Sequence, residues 1–388
     1  GSTATTKVPA FTTDITQLPK SCAGQPSPTP GTAGTVGVNI NDPNFKYPQN
    51  LTATLGFDKQ LPGGVVFTFE GLYRRERNAL YVRDLNLKGP RLVGGVPYRD
   101  ANGRVLFADT ITVSANGSAT IVNNNQLVIP STRLIGSNRV RFSEGAIQLT
   151  NATAGYNYTL SGQLRKRFNR TFEGTAAYTY NQAKDVQSLT SDRAVSNWRN
   201  GRQFAGAEYE PDNATTSNFE RPHRIMMFGT YTAPWVKNQT DVTFYFEAVS
   251  GNSITYVTNN DINGDGIAGN DPIYVPTNAT DPSQVRIGTG AGSTYALNAA
   301  AAAAFEQFIK LQPCLDRQRG KIMERNSCYG PFQKRMDVSI RQTLPQISGQ
   351  RLTAQLDIFN FANLLNKAWG RNYFPIVSTF NNQAVLNT

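Results

Sequence analysis

One histidine and three cysteines stand among 388 residues, which leaves little with which to hold a transition metal or run imidazole acid–base chemistry. No Gly-x-Ser-x-Gly elbow, phosphate-binding loop or His-Glu-x-x-His helix accompanies His223. A lone histidine between Pro222 and Arg224, at the start of a predicted strand, reads as structural, and the chain is expected not to be an enzyme. Hydrophobic residues reach only 39%, low for a large packed core, while charged residues at 17% are too few for charge-driven disorder. No run approaches the roughly 18–20 apolar residues that a spanning helix requires. The longest, the alanine block 299–305, is short and weakly hydrophobic. If this chain meets a membrane, it does so as strands. It opens Gly-Ser-Thr-Ala without an initiator methionine or signal peptide, so it is expected to be a processed, engineered or partial chain.

The formal net charge is +11, but Lys and Arg are spread along the chain. The densest group is Arg74, Arg75 and Arg77 beside Glu76, without a zinc-finger, helix-turn-helix or ribonucleoprotein pattern, which argues against nucleic acid. A basic rim facing anionic lipopolysaccharide would use the same charge.

What fills the composition is Gly, Thr, Asn, Gln and Tyr, with aromatics at 10%. That mixture suits a wall with one apolar face, one polar uncharged face and long polar loops. The strands carry the period. Val65, Phe67, Phe69, Gly71 and Tyr73 alternate with Thr68 and Glu70, and Val242, Phe244, Phe246 and Ala248 alternate with Asp241, Thr243, Tyr245 and Glu247. Leu352, Ala354, Leu356 and Ile358 do the same against Arg351, Thr353, Gln355 and Asp357.

Short polar turns near residues 58–64, 167–170, 233–239 and 345–350 join these segments in pairs, while long connections near 85–152, 185–219 and 251–332 separate the pairs. Compact soluble domains rarely carry several such loops, whereas outer-membrane barrels put short turns in the periplasm and long loops outside. The expected fold is all-β, an antiparallel up-and-down transmembrane β-barrel segment of about eight strands, with one short helix in a loop. The strands are placed at about 49–60, 64–81, 153–167, 170–183, 221–233, 239–250, 333–345 and 350–363. Residues 1–48 and 364–388 are read as extracellular segments, the second leading toward a last strand that the chain does not contain. A secreted or surface β-rich binding or adhesion module, its dry faces packed sheet on sheet, is the alternative.

Three local features stand out. In Asp261-Ile-Asn-Gly-Asp-Gly-Ile-Ala-Gly-Asn-Asp271, the residues Asp261, Asn263 and Asp265 at alternate positions before Gly266 match the opening of a calcium (Ca2+) loop, with Asp271 a further oxygen donor. The bidentate Glu that ends such loops is replaced by Pro272, and Asp-Gly turns also form on Asx hydrogen bonds alone, so both readings stand. Cys314 and Cys328 lie in one loop-like segment and would close it in an oxidising compartment, worth about 3 kcal/mol, leaving Cys22 over. Residues 294–311 read as a helix packing within a loop, with Leu297, Phe305, Phe308 and Ile309 on one apolar edge. Tyr47, Tyr73, Tyr81, Tyr178, Tyr180, Tyr231 and Trp235 fall near strand ends, where interfacial aromatic belts would sit.

Five stretches carry a family resemblance: Leu55-Gly-Phe-Asp-Lys-Gln-Leu-Pro-Gly-Gly-Val65, Phe219-Glu-Arg-Pro-His-Arg224, Arg319-Gly-Lys-Ile-Met-Glu-Arg-Asn326, Arg335-Met-Asp-Val-Ser-Ile-Arg341 and Leu356-Asp-Ile-Phe-Asn-Phe-Ala-Asn-Leu-Leu-Asn366. Together they resemble the barrel of TonB-dependent outer-membrane receptors of the Oar-like type, over roughly residues 45–375. The resemblance implies a place in the bacterial outer membrane and in the C-terminal part of a barrel of about 22 strands. It implies as partners the rest of that barrel and its plug domain, TonB through the plug, outer-membrane lipid and a ligand whose identity the sequence does not carry. Neither a plug nor a TonB box is recognisable here.

Overall fold

The computed structural model describes residues 38–371 apart from 86, 88, 108–109, 114–118, 123–133, 136–137, 142–145, 201–212, 234, 236–237, 259–260, 266, 268 and 290–295, together with 34–35 and 383–386. Its largest element is one antiparallel sheet. The wall strands, in chain order, are β1 (Gln49–Leu61), β2 (Val65–Arg77), β3 (Tyr156–Arg167), β4 (Phe172–Asp185), β5 (His223–Ala233), β6 (Thr240–Val249), β7 (Gln333–Thr343) and β8 (Thr353–Ile358). Each pairs with the next in sequence, and the two-residue strand Thr215–Thr216 extends the sheet beside the end of β4. Among the described residues, β1 and β8 each pair on one side only, so these strands do not close the sheet on themselves.

The register lines up the period-two pattern from strand to strand. Phe67 faces Leu164, Leu164 faces Ala176, Ala176 faces Met227, Met227 faces Phe246 and Phe246 faces Met336. One position along, Thr68 faces Gln163, and beyond it Met226 faces Glu247 and Glu247 faces Arg335. A one-residue slip at any pair would mix the two faces, so the pattern fixes the register. The polar face is tied by side-chain bonds between neighbours: Thr68 to Asp58 (2.5 Å), Ser161 with Thr179 (3.0 Å), Thr230 with Thr243 (3.1 Å) and Ser339 to Asp357 (2.6 Å). Ion pairs Arg165–Glu173 (2.7 Å) and Arg224–Glu247 (2.6 Å) lie on the same side. Among the described residues nothing packs over the apolar face. Leu55, Leu164 and Leu356 are 69%, 47% and 57% exposed.

The turns at one end are short. Gly63 and Gly64, at φ 77° and 75°, turn β1 into β2, and Asn169 Oδ1 accepts from the backbone N–H groups of Thr171 and Phe172 between β3 and β4. At the opposite end the connections are long, and here the structure departs from the sequence reading. The connections are not structureless: the three buried hydrophobic clusters of the described residues lie in them or at their roots. β2 stops at Arg77, short of residue 81, because Asn78 adopts φ 54° and turns the chain away. Ala79–Asp84 then joins a separate three-stranded sheet with Ala146–Ala152 and Val38–Asn41, the last pairing in parallel. Tyr81, expected in an aromatic belt, is instead buried there at 2% exposure beside Ala152 and Val186. β8 is likewise shorter than 350–363, ended near Asn360 (φ 53°) and the helical turn Ala362–Leu365. Gln383–Leu386 lies in parallel beside the loop strand Ser253–Thr258.

Candidate functional site

The long connections fold into a cap over one end of the wall. Helix α1 (Ala194–Asn200) lies in the second connection and helix α2 (Ala299–Leu311) in the third. Asn298 caps α2 by accepting from the Ala301 N–H at 3.0 Å. The helix begins later than residue 294, and Leu297, expected on its apolar edge, lies in the strand pair before it and is 41% exposed. Ala302 and Ile309 are buried, and Phe305 and Phe308 pack against the cluster of Ile254, Ile273, Val275, Leu315 and Met323. The disulfide Cys314–Cys328 forms, with a Cα–Cα distance of 5.3 Å, and clips the segment after α2 to the strand pair at the root of the loop. Cys22 lies outside the described residues. Gly251 and Gly330 meet backbone to backbone at that root, and a Cβ on Gly251 would fall 2.4 Å from the Gly330 carbonyl.

The acidic loop lies where the three long connections meet. Asp261 Oδ1 accepts from Gly264 N–H at 2.7 Å, Asn263 Oδ1 from Asp265 N–H at 2.8 Å, and Asp265 Oδ1 from Ile267 N–H at 2.8 Å. These are Asx turns, and they fold the segment on itself. The loop is also docked. Asn263 O accepts from Phe107 N–H at 2.7 Å, and Ile267 joins the buried cluster of Val82, Phe107, Ile147 and Trp198. Arg104, 3% exposed, pairs with Asp271 at 3.2 Å and donates to the Pro272 carbonyl. Contacts from the first connection, the second and the third thus converge on eleven consecutive residues.

All four donors that the sequence singled out are brought into this one loop, and three of them, Asn263, Asp265 and Asp271, are buried. Burial, together with the neighbouring Asp271 and Asp261 charges, holds the Asp265 carboxyl well above the usual carboxylate range. Burial also pushes Asp271 up to about 7, although Arg104 and the Ile262 N–H pull it down. Sequence reasoning passed over two members of the site. Asn270, fully buried, turns its Nδ2 onto Asp265 Oδ2 at 2.7 Å. Arg104 comes from 167 residues earlier, and no local pattern announces it. Among the described residues no three acidic, histidine or cysteine side chains converge on one point, so carboxylates alone do not make a metal centre here.

Two further arrangements tie the cap to the wall. Arg325, its side chain 2% exposed, pairs with Asp185 at 3.1 Å and donates to Ser188 at 2.8 Å, joining the third connection to the end of β4. Glu220 accepts from Ala183 N–H at 2.7 Å and from the Tyr329 hydroxyl, and burial, with Glu220 next to it, raises the Tyr329 pKa. His223 sits in a run of rings at the cap end of the apolar face. It stacks near Tyr178 (centroids 6.1 Å) and Phe332 (6.4 Å), and Tyr178 OH shares a 2.8 Å hydrogen bond with its Nδ1. Tyr158 and Tyr180 continue the run at 6.0 Å. At the short-turn end, Phe168 and Phe172 (5.2 Å), Tyr231 and Trp235 are the counterparts. On the polar face a hollow of about 560 Å³ is bordered by Arg221, Arg224, Glu247, Lys334 and Arg335.

Residues 1–373 match the model of a family described as an outer membrane beta barrel domain. No curated protein matches the chain.

Proposed function

Because the chain belongs to the outer membrane β-barrel domain family and resides in the outer membrane, we propose that it forms part of the barrel of a TonB-dependent receptor of the Oar-like type. In this reading the apolar face meets lipid, the polar face lines the lumen, the short turns face the periplasm and the cap faces outside. The rest of the barrel and a plug domain complete it, TonB acts through the plug, and lipopolysaccharide surrounds the cap end. The chain supplies wall and loops for ligand uptake and no covalent chemistry of its own.

The single observation that supports this best is the bare apolar face, continuous across the register of the wall strands from Phe67 to Met336. An exposed band of that extent is unstable in water and stable against acyl chains. Rings gathered at both ends of it fit the two interfacial belts of such walls. The folded cap at the end of the wall fits a ligand gate better than a bare porin rim.

Two measurements test the reading at its two levels. The mature protein isolated from native outer membranes should need detergent to stay monodisperse. Solubility without detergent would overturn the barrel and favour the surface binding module. The same protein should be retained by the periplasmic domain of TonB. A mature species no longer than this chain that ignores TonB would overturn the receptor while leaving the barrel intact.

A further inference from the structure

Phe219 and Arg221 stand on either side of a buried anchor. Glu220, 4% exposed, accepts from the Ala183 N–H at 2.7 Å and from the Tyr329 hydroxyl, which pins the segment leading into β5. Its two neighbours both border the hollow of about 560 Å³ on the polar face. That border holds three guanidinium groups, those of Arg221, Arg224 and Arg335, and one carboxylate, Glu247. Arg224 is matched to Glu247 at 2.6 Å, and Arg335 to Asp337 at 2.6 Å.

Arg221 is matched to neither. Its Nε donates to the Ser250 carbonyl at 2.9 Å and its Nη2 to Gln333 Oε1, and both acceptors are neutral. Among the described residues no hydrogen bond engages its Nη1, and no carboxylate pairs with it. The side chain is half-buried, so part of its hydration is lost without a counter-charge to replace it. The paired Nη1 and Nη2 of a guanidinium form a planar fork that fits a carboxylate or phosphate, and here part of that fork is unused.

Size and surroundings narrow the ligand. A hollow of about 560 Å³ is in the range of small-molecule sites. Thr159, Thr179 and Asn181 line it with hydroxyl and amide groups, and Phe219 adds a ring that is 64% exposed. Neutral hydrogen-bonding groups beside an exposed ring suit a sugar, whose hydroxyls bond to the first while its C–H face lies on the second. We propose that this hollow binds an acidic sugar, with its carboxylate or phosphate on Arg221 and its ring on Phe219. The acid group supplies the charge that Arg221 lacks. The inference rests on the barrel reading, in which the polar face lines the lumen, and names the class of ligand that this face takes.

The test uses the mature protein isolated from native outer membranes in detergent, titrated by calorimetry. The probes are glucuronate, glucose-6-phosphate, glucose and inorganic phosphate. At least one of the two acidic sugars should saturate a single site per chain, and the tighter of them identifies the acid group. Glucose and inorganic phosphate, each lacking one half of the ligand, should bind about tenfold more weakly. Arg221→Gln should weaken the acidic sugar about tenfold. Because Arg221 also holds Ser250 and Gln333, Phe219→Ala serves as a second variant at an exposed side chain. It should weaken the acidic sugar about threefold and leave inorganic phosphate unchanged. Arg165→Gln, at the short-turn end of the same face, should leave every titration unchanged. The site is overturned if neither acidic sugar saturates below about 10 mM, if both variants retain full binding, or if inorganic phosphate alone binds as tightly. Solubility without detergent would instead overturn the barrel reading, whatever the titrations show.

Discussion

Arg325 carries a full charge into a position where only 2% of its side chain meets solvent, and it spends that charge on Asp185 across 140 residues of sequence. Removing one partner of such a pair leaves the other uncompensated, typically at 3–5 kcal/mol. Arg325→Ala is therefore expected to destabilise the cap by about 3 kcal/mol, read as faster amide exchange in residues 185–188 and 321–329 with the wall unchanged. Glu306 offers a pH-dependent counterpart. Burial alone would raise its pKa, but the Arg319 guanidinium, the Ala279 N–H and Lys310 outweigh it and leave the carboxyl below its ordinary 4.5. A group depressed in the folded state adds stability above its unfolded pKa and loses it as the pH falls through the folded one. The docking of α2 should accordingly weaken on acidification below 4.5, seen as rising exchange in α2 after correction for intrinsic rates. Glu306→Gln should abolish that dependence. The aromatic run around His223 was visible in the sequence only as scattered rings near strand ends. Tyr81 shows the limit of that reading, because its place depends on the turn at Asn78.

At the scale of the element, each wall strand offers alternate residues to different surroundings, and this makes a paired prediction possible. Met227 lies on the apolar face opposite Ala176 and Phe246, whereas Met226 lies on the polar face opposite Ala177 and Glu247. Met227→Arg should cost about 2–4 kcal/mol of wall stability, as charges on a lipid-facing surface do. Met226→Arg should change it by less than about 0.5 kcal/mol. Denaturant titration of the two variants in the same detergent decides, and equal costs would argue against one wet and one dry face. The third long connection makes a second case. Its disulfide spans 14 residues, a closure worth about 3 kcal/mol. Reduction should expose residues 312–332 to protease while the wall strands remain protected. Strand extents read from alternation alone ran long at β2 and β8, because alternation does not register a left-handed Asn78 or Asn360.

The whole molecule reverses the usual placing of apolar residues. Its wall keeps them on an outer surface, and its buried clusters lie in or beside the connections between strands. Each half has its own physical basis: acyl chains for the wall, and packing with buried polar bonds for the cap. That division also separates what could be read early from what could not. The sequence by itself determined the wall: period two, the spacing of short turns and long connections, and the lack of an apolar helical run are local properties that need no partner to be seen. It also marked the Asp261 loop and the two cysteines, because those signals lie within eleven and fifteen consecutive residues. Only the tertiary structure decided that the connections fold, that Arg104 reaches Asp271 in the acidic loop, and that Arg325 reaches Asp185. Those contacts join residues as much as 167 positions apart. Whether such residues meet depends on chain closure and burial, which no local period encodes.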